Sequence, residues 1–297
     1  MLSSNLVANA HIDSPELYKE ALLRGLKEDG FPLDWTTLAV NSQQSKKAII
    51  LAKTDGVFCG EGLLHTAQQI ALEWGLSLKI ETRLQNGQKF KKGDILSQWI
   101  GTASGLLVLE RPTLNLLAYL CSVAAETHRL VEAVRQLGHS HPTRVTATRK
   151  TLPFYRDLAV TAVRVGGGDS HRVSLSGGVL LKENHLRFSG SITKAIEHCR
   201  QVAPHLMRIE VEVTNLVELR EAIAARADVV MLDNFPTHDI QEALKIRGSS
   251  ALPLFEVSGG IRPENVEQYV LNGIDIVSSG SLTYRPTPVD LSFLVES

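Results

Sequence analysis

The alternation of apolar and polar positions changes character once along this chain. Up to about Glu110, short β-prone runs at residues 47–53, 56–60, 76–83, 95–100 and 105–109 accompany two helical stretches. The first helix starts at Ser14-Pro15-Glu16, with Ser at the N-cap and Pro at the first helical position, and runs to Lys27. The second covers residues 61–74, and Asn86-Gly87 and Lys92-Gly93-Asp94 mark turns. This half reads as a mixed α/β domain with an antiparallel sheet. Pro112 then opens a long helical stretch to about Leu137, closed by Gly138. Beyond it, strand-length apolar runs at 144–148, 179–182, 206–213, 228–233, 254–257 and 274–278 alternate with amphipathic segments at 191–202, 216–225, 238–246 and 263–271. Such alternation implies parallel βα units, and without a dinucleotide fingerprint an α/β barrel is favoured over a doubly wound sheet.

The strand ends carry the chemistry. Arg149-Lys150 follows the first strand of the second half and Lys182-Glu183-Asn184 closes the second. Glu210 and Glu212 lie within the third, Asp233-Asn234 ends the fourth, Ser258-Gly259-Gly260 follows the fifth, and Ser279-Gly280 follows the sixth. Active sites of α/β barrels lie at the C-terminal ends of their strands. A polar or glycine-rich group at every such end therefore predicts one shared site.

Charge sharpens that picture. The chain of 297 residues has a net charge of −1, which argues against a general binder of nucleic acid or membrane surfaces. Positive charge is nevertheless concentrated around one glycine-rich loop: Arg149, Lys150, His171, Arg172 and Lys182 flank Gly166-Gly-Gly168. Arg offers a bidentate fork and Lys a point charge, so this cluster suits a multiply charged anion. Cys59, Cys121 and Cys199 lack metal-ligand spacing and read as reduced thiols. No long uninterrupted apolar run and no secretory leader are evident, so a cytoplasmic protein is expected.

Glu210 and Glu212 are two apart on a strand and share a face. Glu212 and Asp233 suit a magnesium–diphosphate unit, since Mg²⁺ is an oxygen-seeking ion commonly held by carboxylates and substrate phosphates. For Glu210, an internal salt-bridge network with Lys150 and Lys182 is an equal alternative. The glycine-rich ends of the last two strands suit a phosphate. No nucleophilic triad is visible. The set fits group transfer from a phosphorylated sugar to an acidic acceptor, driven by positioning and electrostatics.

Taken in order, Glu110-Arg-Pro-Thr-Leu-Asn115, Thr148-Arg-Lys-Thr151, Gly166-Gly-Gly-Asp-Ser-His-Arg172, Leu181-Lys-Glu-Asn-His185, Glu210-Val-Glu212, Leu232-Asp-Asn234, Ser258-Gly-Gly260 and Ser279-Gly-Ser-Leu-Thr283 resemble the quinolinate phosphoribosyltransferase family over essentially the whole chain. The resemblance implies an N-terminal α/β sandwich domain (residues 1–111, dimer-forming), an incomplete α/β barrel (112–283), and a C-terminal tail (284–297) packing back on the first domain. It implies transfer of phosphoribosyl from phosphoribosyl pyrophosphate to quinolinate, giving nicotinate mononucleotide, pyrophosphate and carbon dioxide, with Mg²⁺ as cofactor. By the same likeness Arg149, Lys150, His171, Arg172 and Lys182 meet quinolinate, and Arg111 reaches the site of a neighbouring subunit. Lys150, Lys182, Glu212 and Asp233 would be catalytic. Glu212, Asp233, Ser258, Gly259, Gly260, Ser279 and Gly280 would hold phosphoribosyl pyrophosphate, and Glu212 and Asp233 its metal ion, directly or through water.

Some positions depart from the family pattern. Leu152-Pro153-Phe154 replaces Thr-Pro-Gly, Ala159-Val160-Thr161 replaces Glu-Lys-Tyr, and Glu183 stands for Asp. Ser122-Val123-Ala124-Ala125 replaces Ser-Gly-Ile-Ala, and Tyr284 stands for His. The altered segment 152–161 leaves room for a related enzyme acting on a different aromatic acid. A non-catalytic binder of a pyridine nucleotide or phosphosugar is a third reading, although it would not need Lys150, Lys182, Glu212 and Asp233 together.

Overall fold

A computed structural model describes residues 14–40 and 43–296, so the leader expectation rests on positions outside the described residues. The described residues form two compact units: those up to 128, with 152–167 and 286–296, make the first, and residues 129–151 and 168–285 the second.

In the first unit, helix α1 (Pro15–Glu28) has the expected N-cap position at Ser14 and buries Tyr18, Ala21, Leu22 and Leu26, one stripe at helical spacing. A short helix α2 (Trp35–Ala39) follows, capped by the Asp34 side chain. Strand β1 (Lys46–Ala52) is central in a four-stranded antiparallel sheet, with β5 (Ile95–Gly101) and then β3 (Leu78–Thr82) on one side. On its other side lies β12 (Leu291–Val295), from the far end of the chain, in the register Ile50↔Phe293. Helix α3 (Glu61–Glu73) turns Leu63, Leu64, Ala67 and Ile70 inward. The expected Asn86-Gly87 turn also serves this helix, because Asn86 Oδ1 accepts from the Gly60 and Glu61 N–H groups. Strands β2 (Gly56–Val57) and β4 (Lys89–Phe90) form a separate small ladder.

Two expectations fail together. Residues 105–109 are not a strand, and Pro112 does not open a helix. Helix α4 (Ala103–Gln136) runs straight through both, with Pro112 inside it. Leu106, Leu109, Thr113, Leu117 and Leu120 are buried at steps of three or four, so the helical period extends further back than the apolar run suggested. An internal Pro costs a backbone hydrogen bond. Here its ring is accommodated by Gly25 of α1, where an added Cβ would lie 3.1 Å from the Pro112 Cβ. By length and composition α4 could cross a bilayer, which the absence of a long uninterrupted apolar run had not suggested, yet 61% of its apolar window is buried in the protein.

The second unit is a parallel sheet of six strands in the order β6 (Arg144–Thr146), β11 (Ile276–Ser278), β10 (Leu254–Ser258), β9 (Val229–Asp233), β8 (Ile209–Val213), β7 (Val179–Leu181). Helices α6 (Glu183–Ser189), α7 (Ile192–Val202), α8 (Leu216–Ala224) and α9 (Thr237–Arg247) connect them. Val211, Val213, Val230, Leu232, Phe255 and Val257 pack into the helix-side core. Their alternates (Glu210, Glu212, Met231, Asp233, Glu256, Ser258) face the other way by the two-residue period of a strand. The gap between edge strands β6 and β7 is entered by the glycine-rich loop, which bridges Thr146 to Asp169 in parallel fashion. This is the expected incomplete barrel.

Where a helix was expected over 263–271, only a 3₁₀ turn forms at Val266–Gln268. Asn265 explains it: its side chain accepts from the Arg262 N–H and donates to the Gly260 carbonyl, drawing the backbone away from helical bonding. Helix α5 (Arg156–Val165) buries Ala159, Val160 and Thr161 within the first unit. Just before it, Phe154 has φ +67°, in the left-handed region, and is 86% exposed with Arg24 5.0 Å from its ring. A bulky side chain there costs roughly 1–2 kcal/mol, and an exposed cation–π contact recovers roughly 0.5–1 kcal/mol. Phe154→Gly is therefore expected to raise the melting temperature slightly, by about 1–3 °C. Phe154→Ala, which keeps the strain and loses the contact, is expected to lower it; thermal unfolding of the three proteins checks this.

Candidate active site

Strand register assembles the site. Across four neighbouring strands, Asp233, Ser258, Ser278 and Thr146 stand side by side. The row two residues earlier is Glu212, Met231, Glu256, Ile276 and Arg144. Apart from Met231 and Ile276, this face of the sheet is polar, and the row at its C-terminal edge is wholly so.

Lys182 leaves β7 as the N-cap of α6, and its Nζ donates to Glu212 Oε2 at 2.9 Å. Asp233 ends β9, where Asn234, at φ +48°, donates from Nδ2 to Asp233 Oδ2 at 2.9 Å. Ser258 ends β10 and is followed by Gly259 at φ +110° and Gly260 at φ +63°. A Cβ on Gly259 would stand 2.3 Å from Asn234 Oδ1, so no other residue fits that turn. Ser279 Oγ donates to the Ile261 carbonyl at 2.8 Å and ties the loop after β10 to the loop after β11. Gly280 lies against Lys150 and Thr148: an added Cβ would approach Lys150 Cδ to 3.1 Å. The Lys150 carbonyl accepts from Thr283 Oγ1, and its N–H donates to Thr148 Oγ1.

The glycine-rich loop delivers His171 and Arg172. Arg172 donates to the Gly178 carbonyl at 3.0 Å, and burial together with the nearby Arg149 guanidinium lowers its pKa. His171 Nε2 lies 3.0 Å from Glu210 Oε2 and 3.6 Å from Glu256 Oε2. Burial works against an imidazolium at this position, but the hydrogen bond to Glu210 and the two acidic neighbours outweigh it and raise the His171 pKa. Glu256 is 1% exposed. Burial, reinforced by the Glu210 charge, pushes its carboxyl up to about 8.

Lys150, Lys182, Glu212, Asp233, Arg149, His171, Arg172 and the Ser-Gly residues 258–260 and 279–280 thus lie on the strand ends and loops of one unit. Arg111 lies on α4 in the first unit, exposed and 3.7 Å from Glu110. The expected network of Glu210 with Lys150 and Lys182 is not the one found: Glu210 is joined to His171, and Lys182 pairs with Glu212.

Two family models match the chain: the N-terminal domain of quinolinate phosphoribosyl transferase over residues 34–121, and its C-terminal domain over residues 123–294. The chain belongs to the quinolinate phosphoribosyltransferase family. A probable nicotinate-nucleotide pyrophosphorylase (carboxylating) of Methanocaldococcus jannaschii is 39% identical, covering 87% of this chain and 90% of that protein. The corresponding protein of Bacillus subtilis is 36% identical over 87% and 86% of the two. The solved nicotinate-nucleotide pyrophosphorylase of Francisella tularensis superposes with a TM-score of 0.86 at 32% identity, covering 95% of this chain and 97% of that one.

Against that family background, the segment that departs most from its pattern, residues 152–161, belongs to the first unit. None of the departures replaces a cationic residue around the glycine-rich loop. Glu256 is the site residue that the sequence reading missed. Its signal was a single acid inside the apolar run Leu254-Phe-Glu-Val-Ser258, in phase with Ser258.

Glu256 has a stability consequence. Its folded value lies above the ordinary carboxylate value of 4.5. The folded chain therefore holds a proton that the unfolded chain has lost between these limits. The associated stabilisation is complete below pH 4.5 and is lost as pH rises through about 8. His171, also raised, acts in the same direction. Denaturant unfolding is expected to show stability falling by on the order of 1 kcal/mol per pH unit across that window, and Glu256→Gln should flatten much of this slope.

Proposed function

We propose that this enzyme of the quinolinate phosphoribosyltransferase family transfers the phosphoribosyl group of phosphoribosyl pyrophosphate to quinolinate and releases pyrophosphate, carbon dioxide and nicotinate mononucleotide, in NAD biosynthesis. The observation that carries the reading is the joining of two opposite corners in one set of strand ends. Arg172 lies near Arg149 and Glu210, Glu210 holds His171, and Lys182 stands on Glu212, which makes one side of the strands cationic; Asp233, Ser258 and the Gly259–Gly260 turn make an acidic, amide-rich edge.

Quinolinate carries two carboxylates, and each charged hydrogen bond to the cationic corner contributes roughly 1.5–3 kcal/mol. The turns after β10 and β11, held together by Ser279, suit the 5-phosphate, with backbone N–H groups of Gly259, Gly260 and Gly280 as donors. Lys150, packed against Gly280, is suited to stand between the two substrates. As pyrophosphate departs, the ribose gains positive charge, which Glu212 and Asp233 oppose. Once the ring nitrogen is ribosylated, the cationic ring accepts the electron pair left by the 2-carboxylate.

A magnesium ion suits this site because Glu212 and Asp233 are carboxylates on adjacent strands, each held by a neighbouring side chain through one oxygen. Bound there, directly or through water, it would supply charge neutralisation for the pyrophosphate. A homodimer in which Arg111 enters the partner's site, and a cytoplasmic setting without nucleic-acid or membrane partners, complete the reading. The exposure of Arg111 supports its part in this.

Purified protein given quinolinate, phosphoribosyl pyrophosphate and Mg²⁺ is expected to form nicotinate mononucleotide, detected by mass, and to form none from nicotinate. Product from another pyridine acid alone would refute the acceptor assignment. Arg172→Ala should raise the KM for quinolinate by roughly 10- to 100-fold, the equivalent of one charged hydrogen bond. The KM for phosphoribosyl pyrophosphate should stay within about threefold, a change worth under 1 kcal/mol.

A further inference from the structure

The barrel interior has a second opening. A cavity of about 270 Å³ is rimmed by the first residues of four strands, Arg144, Val179, Val229 and Ile276, and by Arg208 just before β8. It therefore opens at the N-terminal mouth, the opposite end from Lys182, Asp233 and Ser258. Its inner wall is Thr146, His171, Glu210 and Glu256. Interiors of α/β barrels are ordinarily filled by side chains. A cavity that reaches a cluster of titratable groups from this end is thus a built feature. Thr146 Oγ1, Glu210 Oε1 and Glu256 Oε1 are buried and have no protein hydrogen-bond partner among the described residues. Polar groups of this kind are satisfied by water where space allows, and the cavity is many times the roughly 30 Å³ share of one water.

The reaction assigned above replaces the 2-carboxylate of the ring by hydrogen, so each turnover takes up one proton. Resting on that reading, we propose that the N-terminal cavity is a water-filled proton inlet and that Glu256, acting through His171, supplies the proton that the ring carbon takes up as carbon dioxide leaves. The bond between C2 and the carboxylate breaks, and its electron pair stays on C2. The imidazolium of His171 then gives its proton to that pair, forming the C2–H bond. His171 is reprotonated from the Glu256 carboxyl through cavity water, and Glu256 regains its proton from bulk solvent by the same water, so each turnover consumes one solvent proton. Arg172, which also lines the cavity and interacts with the Glu210 charge, balances the acids without offering a proton. Glu256 touches His171 and not the substrate, so it is a positioning and supply residue.

The test compares the wild type with Glu256→Gln and with Val179→Phe, which narrows the mouth and leaves the acids in place. First-turnover pyrophosphate release, nicotinate mononucleotide formation and the solvent deuterium isotope effect on kcat are measured for each. In Glu256→Gln, nucleotide formation is expected to slow by about tenfold or more, with a larger isotope effect and unchanged pyrophosphate release. The carboxylated mononucleotide then accumulates and is visible by mass. Val179→Phe should show the same pattern more weakly, and it decides the matter if Glu256→Gln does not fold. Equal loss of both steps in Glu256→Gln, or wild-type rates and isotope effects in the variants, overturns the inlet. A wild type that forms no nicotinate mononucleotide overturns the acceptor assignment and with it the proton's destination. Exchange of the His171 ring N–H, followed by NMR, then tests the inlet alone, which requires slower exchange in Val179→Phe.

Discussion

The pairing of charge inside the barrel is the constraint on which the site depends. A buried carboxylate without a partner is costly, and the usual response is to pair it or to hold it neutral. This chain uses both. Glu212 is paired with Lys182, Glu210 with His171, and Glu256 is held toward its neutral form by burial and by the Glu210 charge. Because these side chains are locked to one another, Lys182 and His171 are fixed in place beside the acids. Breaking one partner would leave the other buried and uncompensated, which is more damaging than never having built the pair.

The outer face of the same strands makes the arrangement affordable. Val211, Val230, Leu232, Phe255 and Val257 join a continuous apolar core with the helices, so the sheet does not rely on its polar face for stability. At its base, Asp275 accepts from Arg247 at 2.7 Å and from the Phe255 N–H at 2.8 Å, and His141 Nε2 lies 2.8 Å from it. That network ties α9 to β10 and β11 at the ends remote from the chemistry, where fixed geometry carries no functional cost.

Much of this was legible in the sequence because strand parity and strand ends are local properties. Asp233, Lys182 and Ser258 could be placed at strand ends from apolar runs and the polar residues that stop them. The elements that misled were those decided by tertiary packing. Pro112 reads as a helix start, yet Gly25 makes room for it inside a longer helix. The segment 263–271 has a helical composition, but the side chain of Asn265 takes over the bonding of the turn. Glu256 escaped notice because an acid in the middle of an apolar strand has no local signature of function; its meaning comes from Glu210 and His171, which are distant in sequence. Phe154 shows the reverse case, a visible departure whose consequence is a backbone strain in the first unit.

The most direct test of the central claim is a crystal structure of the protein with quinolinate bound. The two carboxylates are expected to lie within hydrogen-bond distance, about 2.7–2.9 Å for charged pairs, of Arg149, Arg172 and Lys182, with His171 still joined to Glu210. Quinolinate seated elsewhere, with those three side chains uninvolved, would contradict the account.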